Sequence, residues 1–484
     1  MKQCIGINFG TTNTAVVCVL GKKTTHLGEN GEYPFSSVVA IPKNEDGAIL
    51  FGREVRDRKF ELSATHDVYT SMKSHLGTDK RFAGNRYSAK EIVSAFFRHI
   101  KKYIEQQHGI DISEAALSYP VDFPPEARRE LCAAAEKAGI KVTVLVNEST
   151  AAYIANHEIC RPFSKVMVLD WGGGTFDTSI LKLTGTSIHE IAVWGDYVGG
   201  DDVDRELAER IHSRIVAQSE INIGRFEDAP PTVRDQMHTR CEFAKISISN
   251  GDDDYSLRIR NCSVYGDRNI SITAEYLDSV VAPIIKSRIF TAIDKALGKA
   301  ELSPDSIDAV IIVGGSSNLS SYERAISNLF KNAKIIYDSK KAQWATATGA
   351  ALMQVIGGKL RLSEEICVLM SEGTAFPILP KGHPIGVESA PVSFALTEDS
   401  LVARFIFTDA TGKTTYKSQP IKAKGFLQEE FVLKAIITDD QIARVRVSNK
   451  HFGEDHAEFV EINKLNFHYD IAPLIHFSSR GSEH

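Results

Sequence analysis

Apolar and polar positions first set out two short strands. Residues 3–9 and 14–20 are strand-like runs, and Gly10-Thr11-Thr12 joins them as a turn. Period-2 patches at 37–41 and 49–52 predict further strands. The period then lengthens to that of a helix. Ser88-x-x-Glu91 is a capping box, and Ile92, Phe96, Ile100 and Ile104 follow on one helical face before Gly109. A strand over 115–119 stops at Pro120. Pro124 and Pro125 open a helix that runs to Gly139. A strand at 141–146 then leads into an Ala-rich helix near Glu148, in NESTAAYIA.

The second half repeats this order. A hairpin spans 166–183, a helix follows GGDDVD at 199–204, and another covers about 233–248. A long amphipathic helix is predicted over 273–297, ending at Gly298. The strand at 309–313 breaks at Gly314-Gly315, a helix follows, and WATATGAALMQ (344–354) is a small-residue helix. Hairpin, helix, strand, helix, strand and Ala-rich helix thus occur twice, which predicts two related α/β lobes. From about 366 to 470 the helical period is lost. Runs such as PVSFAL, LVARFIF, EEFVLKAIIT and QIARVRVS, separated by turns such as TEDS and DATGK, predict an antiparallel β domain.

The repeat also carries the candidate chemistry. Residues 5–14 read IGINFGTTNT and residues 167–178 read MVLDWGGGTFDT, so Asn8 matches Asp170 and Gly10 matches Gly172. A magnesium-bound triphosphate needs inward backbone N–H groups, no Cβ obstruction, and carboxylates for the metal's waters. Gly172-Gly173-Gly174-Thr175 meets the first two needs, and Asp170 and Asp177 meet the third. Gly10-Thr11-Thr12 offers a second cradle, and Gly314-Gly315-Ser316 precedes a helix. A Gly-rich hairpin alone is most often a tight turn. Asp plus three glycines, a sister turn and a later V-G-G-S make a phosphate clamp the better reading. No G-x-x-x-x-G-K-[ST] occurs, which excludes a P-loop, and no G-x-G-x-x-G occurs.

Composition narrows the picture without changing it. The chain has 484 residues, too many for one core of ordinary size, so roughly two to four domains are expected. A net charge of −6 gives no sign of a nucleic-acid or anionic-membrane surface. The N-terminus starts directly in a strand, so a signal peptide is not expected, and no apolar run reaches about 18 residues. The seven scattered cysteines include no C-x-x-C, which fits reduced thiols in a cytoplasm and argues against zinc.

These residues resemble the actin/hexokinase/heat-shock ATPase superfamily, and within it the 70-kilodalton heat-shock chaperones (DnaK-like). I-G-I-N-F-G-T-T and V-L-D-W-G-G-G-T-F-D-T look like the family's two phosphate motifs. Y-V-G-G-D-D-V-D, N-E-S-T-A-A and I-I-V-G-G-S-S look like three further signatures. The resemblance covers residues 4–356 well and the β domain loosely. It implies a two-lobed actin-like α/β ATPase fold with duplicated lobes, followed by a small antiparallel β-sandwich. The implied bounds are a nucleotide-binding domain at 1–358, a linker at 359–371, a β-rich domain at 372–472 and a tail at 473–484. Within the first domain, lobe I spans about 1–160, lobe II about 161–340 and a closing helix about 342–356.

The resemblance also implies roles. Thr11, Thr12, Gly173, Gly174 and Thr175 would bind phosphates. Lys73, in SMKSHLG, would reach the γ-phosphate and the attacking water, although locally it reads equally well as a surface lysine. Glu148, Asp170 and Asp177 would organise that water and magnesium's waters, with Asn8 beside them. Gly199 and Gly200 belong to the same constellation. Glu242, Lys245, Ser249, Gly315 and Ser316 would hold the adenosine, and Gly314 would line the nucleotide site beside them. The i, i+3, i+7 spacing of Glu242, Lys245 and Ser249 places them along one helix face, which without the other motifs would be a solvated stripe.

Four departures accompany the resemblance. Asn8 stands where the family has Asp, and the adenine-sandwiching arginines are replaced by Ile246 and Asn318. The segment between Lys73 and Tyr119 is short, and no helical lid follows the β domain. The linker is either EEICVLMSE (364–372) or absent, that run then being the first β strand. The expected function is a divergent chaperone and slow ATPase. It would bind ATP or ADP with Mg²⁺ and couple nucleotide state to unfolded polypeptide, with a J-domain protein and an exchange factor as partners. The alternative is a nucleotide-binding adaptor that docks one dedicated protein. An actin-like polymer or a small-molecule kinase is the third reading, and no acceptor-site sequence supports the kinase.

Overall fold

The structure, a computed structural model, describes residues 3–29, 33–44, 47–120, 123–218, 224–260, 265–357, 360–452, 456–463, 465–472 and 474. The chain divides into two units. One comprises residues 1–182 and 191–354, the other residues 183–190 and 355–484.

The first unit is built on two sheets of the same design. In one, Lys141–Asn147, Glu114–Tyr119 and Gln3–Phe9 run parallel, and Asn13–Leu20 and Lys23–His26 continue antiparallel. In the other, Lys334–Ile336, Ala309–Val313 and Lys165–Trp171 run parallel, and Phe176–Thr184 and Ser187–Asp196 come next in a seven-stranded order. The duplication read from the motif order is therefore a duplication of strand topology. It extends to register. Asn8 lies opposite Ala15 on one side and Ser118 on the other, while Asp170 lies opposite Asp177 and Val313.

Helices cover these sheets where the periodicity places them. Helix Ala89–His108 starts at the expected capping box. Ser88 Oγ accepts from the Glu91 amide, and the Glu91 carboxylate accepts from the Ser88 amide at 2.9 Å. Its apolar face buries Phe96, Phe97, Ile100 and Ile104 beside Phe9, whose ring meets Phe97 edge-on at 5.3 Å. Helices Glu148–Ala155 and Ala345–Val355 occupy equivalent places after the last of the three parallel strands of each sheet. They approach so closely that a Cβ on Gly349 would lie 1.7 Å from the Ala151 carbonyl oxygen. The small-residue composition of both helices is what permits this.

The long helix predicted over 273–297 is interrupted. It forms as Ala274–Ile284, a π-helical turn at Ile285–Ile289, and Phe290–Lys299. Pro283 supplies the reason, because it has no N–H to donate and its ring crowds the preceding turn. Asp254–Ile259 and Arg268–Thr273 pair as a hairpin that the sequence patterns above do not include. It buries Leu257, Ile259 and Ile272 on one face and keeps polar residues on the other.

The second unit contains two four-stranded antiparallel sheets. One orders Ala375–Leu379, Ile366–Leu369, Val402–Thr408 and Thr415–Lys422, and the other Val392–Ala395, Glu430–Ile437, Ala443–Asn449 and Glu458–Ile462. Ile366–Leu369 is thus an inner strand, so EEICVLMSE supplies strand rather than free linker. Phe405 joins the sheets, touching Phe394 edge-on at 6.1 Å and Phe431 at 5.6 Å. Residues 187–189 pair antiparallel with 468–470, which pair in turn with Leu360–Leu362. Apart from Leu474, the tail at 473–484 lies outside the described residues.

Candidate functional site

A cavity of about 670 Å³ lies in the first unit, where the turns of the two sister hairpins face each other. Asn8, Gly10, Thr11 and Thr12 line it from one hairpin, and Asp170, Gly172, Gly173 and Thr175 from the other. Gly314, Gly315 and Ser316 follow the parallel strand beside Asp170 and complete this wall. The two turns nearly touch, since a Cβ on Gly173 would lie 1.7 Å from Thr12 Oγ1.

The second row of glycines supports this wall from behind. Gly200 N–H donates to the Gly172 carbonyl at 3.1 Å, and Asp201 N–H to the Gly173 carbonyl at 2.8 Å. Gly199 packs so tightly on Gly173 that a Cβ there would sit 2.1 Å from its oxygen. Gly200 lines the cavity, whereas Gly174 and Gly199 do not. Asp177 is also outside the lining. It is buried one strand away, directly across the ladder from Asp170.

Lys73 is no surface lysine. It sits on the short turn Met72–His75, is only 5% exposed, and its Nζ donates to Glu148 Oε1 at 2.6 Å. Glu148 opens its helix immediately after the parallel strand that ends at Asn147, whose side chain caps the Thr150 amide. Lys73, Glu148 and Asp170 all face the cavity. Burial, reinforced by the Glu148 charge and opposed by Lys73, pushes the Asp170 carboxyl up to about 7.

Helix Pro231–Ser249 presents Glu242, Lys245 and Ser249 to the far end of the cavity, as their spacing requires. Each already has a protein partner. Glu242 Oε1 accepts from Arg56 at 2.8 Å, and Ser249 Oγ donates to the Lys245 carbonyl. Lys245 Nζ donates to the Gly200 carbonyl at 2.9 Å and to Asp204 Oδ2 at 2.6 Å. Burial drives the Asp204 carboxyl up to about 7, with Lys245 opposing it and Glu242 adding to it. Ser316 Oγ donates to the Gly172 carbonyl at 2.7 Å. Ile246 and Asn318 line the same end, and Asn318 Oδ1 accepts from the Tyr337 hydroxyl at 2.7 Å.

Sequence reasoning missed the other rim of the cavity. Tyr33, Arg53, Arg56 and Asp57 line it, three of them from the short helix Arg53–Asp57, as do Lys340 and Gln343 ahead of the last helix. No local motif marks these residues. Only the pairing of Arg56 with Glu242, far apart in sequence, gives them a role.

Among the described residues, no cluster of three or more His, Cys, Asp and Glu could hold a metal by itself. The donors present suit an ion carried in by phosphates and contacted through its waters, with Asp170 among the carboxylates that line the cavity. No helix among the described residues is long and apolar enough to cross a membrane.

The Hsp70 protein family model matches residues 45–369. The chain is 26% identical to the chaperone protein DnaK of Mycoplasmopsis agalactiae, over 92% of this chain and 74% of that protein. It is 28% identical to DnaK of Mycoplasmopsis synoviae, over 80% of this chain and 65% of that one. It is 30% identical to DnaK of Thermotoga neapolitana, over 82% and 68%. The chain spans about two thirds to three quarters of the length of these relatives. With sister sheets around one Gly-lined cavity, β sheets in the second unit and a family model matched over most of its length, the chain belongs to the Hsp70 family.

Proposed function

We propose that the protein is a divergent chaperone ATPase that binds ATP or ADP in the cavity, hydrolyses ATP slowly, and couples nucleotide state to an extended polypeptide held by the β unit. The observation that carries this reading is the convergence of Gly10–Thr12, of Gly172, Gly173 and Thr175, and of Gly314–Ser316 on one cavity that Lys73, Glu148 and Asp170 also line. Backbone N–H groups and threonine hydroxyls would take the phosphates. Lys73, held by Glu148, would place its charge beside the γ-phosphate, and Asp170 would accept from the attacking water or from a metal-bound one. Magnesium, when bound, would neutralise phosphate charge and favour departure of the leaving group.

The β unit supports the polypeptide half of the reading. Its terminal strands Ala375–Leu379 and Glu458–Ile462 carry exposed Phe376 and Phe459. Such edges suit main-chain pairing with an extended segment. A J-domain protein and an exchange factor would act as partners, and the site of action would be the cytoplasm.

Two observations favour the adaptor as the second reading. Asn8 contributes no carboxylate, and Ile246 and Asn318 contribute no cation beside the base. Single-turnover ATP hydrolysis, with and without a J-domain protein, separates the readings. Stimulation of several-fold supports the cycling chaperone. Tight ATP binding with no product over hours leaves the adaptor.

A further inference from the structure

We infer that Asn8 is a phosphate-binding donor, and that the cavity therefore takes an adenine nucleotide's polyphosphate with little dependence on magnesium. This rests on the nucleotide reading above and concerns one chemical choice within it.

The two sister positions differ in what their sheets offer them. Asp170 has Val313 as its parallel neighbour, a side chain with no hydrogen-bonding group. Asn8 has Ser118, whose hydroxyl is fully buried and donates to Asn8 Oδ1 at 2.9 Å. The amide oxygen is thereby committed to the sheet. The amide nitrogen, a donor with no acceptor capacity, has no protein partner among the described residues, and Asn8 lines the cavity. Ala15 occupies the place across the hairpin that Asp177 holds beside Asp170, so no second carboxylate compensates.

A carboxylate at this position would repel a bare polyphosphate and would accept from the waters of a metal. An amide N–H attracts a phosphate oxygen directly and gives the metal's waters nothing. The local charge balance is consistent with this, because Lys73 is matched by Glu148 and the Asn8 position adds no further negative charge to the Asp170 side of the cavity. Magnesium is then no longer needed to bring the nucleotide in, although hydrolysis still gains from it.

Calorimetric titration of ATP and ADP, in magnesium and in EDTA, tests this on the full chain. The set comprises wild type, Asn8→Asp, Asn8→Ala and Ser118→Ala, with nucleotide-free thermal melts to confirm folding. Wild-type affinity should change less than about threefold on removing magnesium. Asn8→Asp should lose roughly tenfold or more in EDTA and recover in magnesium, the size expected for exchanging a charge-assisted bond for repulsion. Asn8→Ala should weaken both conditions about equally. Ser118→Ala frees the amide to turn its oxygen inward, so a dependence on magnesium should emerge. A wild type that binds only with magnesium, and that Asn8→Asp leaves unchanged, overturns the inference while the nucleotide reading survives. A wild type that binds neither nucleotide in either buffer overturns both.

Discussion

Arg56 and Glu242 meet at 2.8 Å at the rim of the cavity, joining the short helix Arg53–Asp57 to the helix Pro231–Ser249. Both side chains are mostly buried, so the pair is stronger than an exposed one, yet solvent still reaches it. It closes the end of the cavity opposite the phosphate turns. Arg56→Ala should release bound nucleotide about three to ten times faster, with little change in association, because a closing contact acts mainly on dissociation. Stopped-flow release of a fluorescent nucleotide measures this. An unchanged rate would mean that the rim does not gate exit.

Lys73 and Glu148 form a buried pair, so removing one partner strands the other's charge. Lys73→Met should destabilise the protein by roughly 3–5 kcal/mol, and the double variant Lys73→Met with Glu148→Gln by less than the single. Urea unfolding of the three proteins decides it. Equal losses for single and double would show that the two side chains do not depend on each other.

Asp170 has its carboxyl raised from an ordinary 3.8 to about 7, chiefly by burial. A raised acid stabilises the fold fully below its unfolded value and loses that contribution as pH rises through the folded value. Nucleotide-free stability should therefore fall from about pH 4 to about pH 7. Under the proposed mechanism turnover would need the ionised carboxylate, and should instead rise between about pH 6 and about pH 8 by up to about tenfold per unit. Asp170→Asn should flatten the stability slope and abolish turnover. Parallel slopes for the two quantities would be incompatible with this assignment.

Asn8→Asp restores a carboxylate beside the phosphates. It should speed hydrolysis by roughly 10- to 1000-fold, the equivalent of about 1–4 kcal/mol in the transition state. Single-turnover rates at saturating nucleotide and magnesium check this. No change would place the slow step elsewhere.

Gly349 leaves no room for a side chain, since its Cβ would fall 1.7 Å from a backbone oxygen of the facing helix. Gly349→Ala should cost about 1–3 kcal/mol or more in stability, because backbone must move. A thermal melt within a degree of wild type would show that the helices part without cost.

Much of this protein follows from local sequence. The capping box at Ser88, the strand–turn–strand repeats, the Ala-rich helices and the alternating runs after 366 each state their own structure, because hydrophobic period and turn chemistry are local properties. The Gly- and Thr-rich turns that line the cavity are legible for the same reason, since their backbone and hydroxyl groups lie next to each other in the chain. Tertiary structure alone decided the rest. It buried Lys73 against Glu148, set Asp177 one strand back from the cavity, and brought Arg56 to Glu242. It also placed Ser118 beside Asn8, and with that the direction of one amide. The three side-chain contacts, made by strand register and helix packing, join residues 75 to 186 positions apart, and no local pattern encodes them.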